Sequence, residues 1–108
     1  MIRHSVFIRF KPETTQERIA ELFGEIAALQ DHLDGVLAVH SGNNVSPETG
    51  MDKGYSNGFM VDFENSQARD NYLKDSKHQA VGAKLVEAAL NGIEGILVYD
   101  LEIDESWI

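Results

Sequence analysis

Residues 2–10 read Ile2-Arg3-His4-Ser5-Val6-Phe7-Ile8-Arg9-Phe10. Ile2, His4, Val6, Ile8 and Phe10 fall on one side of an alternating pattern and Arg3, Ser5, Phe7 and Arg9 on the other. That period of two places successive side chains on opposite faces of a β-strand. His4 is the only polar member of its face, so an imidazole is expected among aliphatic neighbours, where it needs a hydrogen-bond partner. Lys11-Pro12-Glu13 ends the strand, and Thr14 followed three residues later by Glu17 reads as a capping box. Ile19, Leu22, Phe23, Ile26, Leu29 and Leu33 then recur at helical spacing as one apolar stripe. A helix over about 15–33 follows, stopped at Asp34-Gly35.

Beyond it, Val36 to His40 is an apolar, β-branched run read as a second strand, and residues 43–55, with Pro47, Gly50 and Gly54, form an irregular loop. Asn57, Phe59, Val61 and Phe63 share one face of a third strand. Asn65-Ser66 caps a short helix that closes near Leu73 or Lys74, and Ser76 with Gln79 reads as a capping box opening another helix at about residue 77. Val81, Leu85, Ala88 and Ala89 give that helix its buried side, and Asn91-Gly92 ends it. A fourth strand covers about 95–103, with Leu97, Tyr99, Leu101 and Ile103 on one face and Ile96 and Val98 on the other. The order β-α-β-β-α-β predicts an α+β, ferredoxin-like fold: a four-stranded antiparallel sheet with its helices on one face. Phe7 and the two-faced fourth strand leave the helix-free face apolar, and a second subunit is its simplest cover.

The chain has 108 residues, read as one domain over 1–108, enough to bury roughly 65% of its unfolded surface. It has no cysteine, which excludes disulfide scaffolds and thiolate metal sites. A formal net charge of -9 repels nucleic acid and anionic membrane surfaces alike. No apolar run approaches a membrane span of about 18 residues, and Arg3 and His4 interrupt any leader-like start, so the expected location is cytoplasmic.

The chemistry-bearing residues gather around Asn71-Tyr72-Leu73-Lys74-Asp75-Ser76-Lys77-His78-Gln79-Ala80-Val81. Tyr72 closes one helix and His78 sits in the first turn of the next, where the positive end of the helix dipole favours a neutral ring able to accept a proton. Tyr72 and His78 are expected to partner His4, with Asn57 joining from the third strand and Ile26, Phe23 and Val81 walling an apolar pocket. Two readings stand for this cluster: acid–base chemistry with His78 as base and Tyr72 as donor, or a structural network fixing the corner between the two helices. His32 suits the negative end of its helix and needs no function, and His40 is assigned none. No HExxH-type spacing calls for a metal, Gly50, Gly54 and Gly58 do not form a phosphate loop, and neither reading requires a cofactor.

With these elements placed, the chain resembles the stress-responsive dimeric α/β-barrel (Dabb) family along nearly its whole length. The resemblance is carried by Ile2-Arg3-His4-Ser5-Val6, Leu29 to Val36 with Gly35, Gly42, Ser46-Pro47-Glu48, Lys53-Gly54-Tyr55, Phe63-Glu64, Tyr72-Leu73, His78-Gln79-Ala80 and Val98-Tyr99-Asp100. It implies a homodimer whose two sheets curl into one barrel. It also implies a relation to a plant polyketide cyclase that makes olivetolic acid, in which a His and a Tyr drive an aldol-type ring closure; those roles fall on His78 and Tyr72, and a pocket His falls on His4. A further pocket His of that cyclase is Asn57 here, a pocket Tyr is Ile26, and the family's usual Pro is Ser76. The expected ligand is a small apolar molecule, turned over by a cofactor-independent lyase or cyclase or held by a non-enzymatic stress-response dimer. Heme-degrading or quinone-forming monooxygenases of similar dimeric barrels are a third class, less favoured because no heme-ligand constellation stands out.

Overall fold

The computed structural model describes residues 1–104. Its elements are β1 (Ile2–Ile8), α1 (Gln16–His32), β2 (Val36–Asn43), β3 (Asn57–Phe63), α2 (Ser66–Lys74), α3 (Ser76–Ala88), a short 3-10 turn (Gly92–Gly95) and β4 (Ile96–Glu102). The four strands form one antiparallel sheet in the order β2-β3-β1-β4. This is the ferredoxin-like arrangement expected from the sequence. The first strand is central, pairing with β3 on one side and β4 on the other, so its register aligns both neighbours: His4 lies opposite Val61 and opposite Asp100.

The helices cover one face. Ile19, Leu22, Phe23, Ile26 and Leu29 from α1 and Val81 and Leu85 from α3 meet Val6, Ile8, Phe59, Val61 and Phe63 from the sheet, all buried. Each such side chain removed from water contributes about 1.5–3 kcal/mol before entropy is counted. On the opposite face Phe7 packs against Tyr99 with ring centroids 5.9 Å apart, and Leu97, Tyr99 and Leu101 are 42%, 45% and 49% exposed. Set in the same face, Arg3 clamps the buried Asp62 through two hydrogen bonds of 2.8 and 3.0 Å.

The boundaries depart from expectation where tertiary contacts decide. Instead of reaching Phe10, β1 ends at Ile8, and the chain leaves the sheet so that Arg9 N–H donates to the Gly95 carbonyl and Phe10 bridges Ala89. The second strand continues past His40 to Asn43, because β3 offers Phe59, Gly58 and Asn57 as partners to Ser41, Gly42 and Asn43; available pairing overrides weak strand propensity. Thr15, not Thr14, caps α1 by accepting from Arg18 N–H, while the Thr14 hydroxyl donates to the Ala88 carbonyl. Likewise Asp75, not Ser76, caps α3.

Gly35 shows how closely α2 approaches the turn after α1. Its φ is +82°, and a Cβ there would lie 2.6 Å from the Ala68 Cβ. Gly35→Ala combines a left-handed backbone with a clash against the Ala68 methyl, so we expect a loss of more than about 1 kcal/mol, measured by urea unfolding.

Candidate functional site

Only Asp75 separates α2 from α3. It is extended (φ -65°, ψ 134°) and turns the chain sharply, which brings the last turn of one helix against the first turn of the next. The Tyr72 and His78 rings therefore touch, with centroids 4.1 Å apart. Tyr72 also packs edge-on against Phe63 at 5.0 Å and His4 at 5.7 Å. The expected grouping of His4, Tyr72 and His78 is present.

The expected partner of His4 is not. Neither Tyr72 nor His78 bonds it; His4 Nδ1 instead lies 2.7 Å from Asp100 Oδ1, and Asp100 Oδ2 accepts from Arg69 Nη1 at 2.8 Å. Burial pushes the Asp100 carboxyl up, but its hydrogen bonds with His4 and Arg69 outweigh that and hold it below its ordinary value. An Nδ1–H donated to this carboxylate satisfies a ring that is only 4% exposed. Asp100 was legible in the sequence by the signal that marked His4. It is the first charged residue following Ile96 and Val98 on the helix side of β4, directly across from the one polar residue on that side of β1.

Tyr72 and His78 are different. Tyr72 is 1% exposed, yet its hydroxyl has no hydrogen-bond partner among the described residues, and burial pushes its pKa well above the ordinary value. His78 is partly buried, and its Nδ1 likewise has no partner among the described residues. Burial, then the neighbouring His4, lower its pKa; the Leu73 carbonyl and Asp75 oppose them with smaller effect. The pair thus holds a protonated phenol beside an imidazole biased toward its neutral form.

Asn57 does not join them. It lies on the expected face of β3, but four residues from Val61, the partner of His4, which is roughly 13 Å along a strand. There it accepts from the Ser56 hydroxyl and borders two open cavities. One, of about 490 Å³, lies on the helix-free face against Phe7, Tyr55, Met60 and Leu97; the other, of about 380 Å³, lies between α1 and the sheet beside Ile19 and Phe23. Neither is walled by His4, Tyr72 or His78. Ile26 and Val81 are buried in the core, at 1% and 4% exposure.

Residues 2–103 match the family described as the Stress Responsive A/B Barrel Domain, Dabb. The chain is similar to the stress-response A/B barrel domain-containing protein HS1 of Arabidopsis thaliana, at 27% identity over 99 residues, covering 92% of this chain and 86% of that protein. Among solved structures it is similar to a dimeric ferredoxin-like protein of unknown function from Jannaschia sp. CCS1, with 32% identity, a TM-score of 0.87, and 94% and 98% of the two chains covered. The hydroxynitrile lyase of Passiflora edulis shares the fold, with a TM-score of 0.81 over 96% of this chain and 94% of that one, at 20% identity.

The contrast between a satisfied His4 and an unsatisfied Tyr72 has a measurable consequence. Removing a buried hydroxyl that bonds nothing relieves a desolvation penalty, whereas removing one member of a buried bonded pair strands the other at a cost of about 1–3 kcal/mol. Thermal unfolding should therefore find Tyr72→Phe as stable as the wild type or more so, and His4→Ala clearly less stable.

Proposed function

The chain belongs to the stress responsive A/B barrel domain family, and on that footing we propose a cytoplasmic homodimer that uses cofactor-independent acid–base chemistry on a small apolar carbonyl compound. One observation carries the proposal: two buried polar atoms, Tyr72 Oη and His78 Nδ1, belong to touching rings and bond nothing among the described residues. A purely structural network leaves few such groups unpaired, because each costs free energy that an apolar side chain would not. A ligand carbonyl oxygen accepts from the Tyr72 hydroxyl and brings the C–H beside it to the His78 ring.

In this reading neutral His78 removes a proton from the carbon beside the carbonyl, and the Tyr72 hydroxyl donates to the oxygen on which negative charge collects. The raised Tyr72 pKa keeps that donor protonated. The resulting enolate attacks a second carbonyl of the same molecule, and the His78 imidazolium returns its proton to the new alkoxide, so the base is regenerated. His4, held by Asp100, stays in ring contact with Tyr72 beside the reacting pair. General acid–base catalysis of this kind is worth roughly 10²–10⁴-fold in rate.

The dimer is supported by the apolar residues exposed on the helix-free face and by the dimeric Jannaschia protein. The competing reading, a non-enzymatic stress-response dimer or ligand-binding module, is favoured by one observation: neither described cavity reaches the Tyr72–His78 pair.

Deuterium exchange at the α-carbon of an apolar aryl ketone such as hexanophenone, followed by NMR in D2O, tests the chemistry, with an aromatic hydroxynitrile as second probe. The wild type should exceed buffer, and His78→Ala and Tyr72→Phe should lose about 10²-fold or more. His78 acts only when neutral and its pKa is depressed from 6.5, so the rate should hold at neutral pH and fall only below 6.5, as the ring takes up a proton. Equal turnover of both probes by wild type and both variants overturns the acid–base reading in favour of the non-enzymatic one. Sedimentation should return twice the 12.0 kDa chain mass, and Leu101→Asp on the helix-free face should halve it; a monomeric wild type overturns the dimer.

A further inference from the structure

Asp75 does more than cap a helix. Its Oδ2 accepts from the backbone N–H of Lys77 at 3.0 Å and of His78 at 3.1 Å, while Oδ1 lies 2.9 Å from His32 Nε2 in the last turn of α1. One carboxylate thus holds the peptide that carries His78 and, through its other oxygen, a helix 43 residues earlier in the chain. Both ends suit it: an acid is stabilised by the N-terminus of α3, and an imidazole by the C-terminus of α1. Burial pushes the Asp75 carboxyl up, but His32 and the two N–H groups outweigh that and keep it below its ordinary value. The other titratable groups about His78 are His4 from β1 and Tyr72 from α2.

We propose that Asp75 is a positioning residue for His78 and that His32 is its anchor, the pair forming a strap from α1 to α3 that sets the His78 ring against Tyr72. The inference rests on reading His78 as the base, which gives the placement its catalytic meaning. Sequence reading assigned the cap to Ser76 and no role to His32, and both points change here. A helix N-terminus with an ordinary cap is secured only to its own first turn. This one is also tied to the far end of α1, so the first turn that carries His78 cannot shift without breaking a contact between helices.

The test uses the full chain with 13C-labelled histidine rings and NMR. In the wild type, cross-peaks should connect the His78 and Tyr72 rings. Asp75→Ala should remove them and lower the His78 titration midpoint further, because a carboxylate that favours the imidazolium is gone. Asp75→Asn, whose amide oxygen still accepts from both N–H groups, should keep the cross-peaks while the midpoint drops. His32→Ala should weaken the cross-peaks, and His32→Gln, which can still donate to Asp75, should restore them. A merely structural cap would lower the unfolding temperature in these variants and leave the His78 signals in place. Should Asp75→Ala fail to fold, Asp75→Asn and the His32 pair decide, since His32 is exposed enough to tolerate replacement. Unchanged cross-peaks and midpoint across the folded variants overturn the strap. With hexanophenone, displaced His78 should cost about 10²-fold in kcat with KM little changed. If the NMR signals move as expected but the wild type exchanges no ketone, the strap stands and the acid–base reading falls.

Discussion

A buried imidazole obliges the fold to supply a partner, and the bond between His4 and Asp100 is where that obligation is met. His4 sits at the middle of the central strand, so its partner must come from an adjacent strand or an overlying helix; β4 supplies it in direct register. The same carboxylate then takes Arg69 from α2, which fastens the second helix to the sheet edge. With His4 and α2 both committed to Asp100, Tyr72 is pressed between Phe63, His4 and His78, and its hydroxyl has no hydrogen-bond partner among the described residues.

Much of this was legible in the residues. Alternation in β1 and β3 and the apolar stripe of α1 located those elements because each buries one face, and burial writes its period into the sequence. The caps shifted by one position because Thr14 and Thr15, and again Asp75 and Ser76, are neighbours that both qualify chemically. The choice between them was made elsewhere: Ala88 engages Thr14 and His32 engages Asp75. Asn57 illustrates a second limit. A period of two reports which face a side chain occupies but not its height along the strand, and at four residues' remove from Val61 the correct face was still the wrong end. Asp100 was the reverse case, a partner visible as a break in an apolar pattern.

The helix-free face carries its own constraint. Its apolar residues are interrupted by the Arg3–Asp62 pair, with His40 Nε2 3.8 Å from the same carboxylate. Two N–H bonds, one to each carboxylate oxygen, hold the guanidinium on Asp62, so the charges neutralise each other before any second surface arrives. Such a face can meet a copy of itself without stranding an uncompensated ion.

The exposed side of β4 also bears on how the protein behaves before it finds a partner. This outermost strand presents a free row of backbone donors and acceptors alongside Leu97, Val98 and Tyr99, all half exposed. Short, flat, uncharged stretches at a sheet margin are the templates on which unrelated chains stack into fibrils. Any copy left alone is therefore exposed to misassembly, and the carboxylate of Glu102 at the end of that strand is the charge that opposes it.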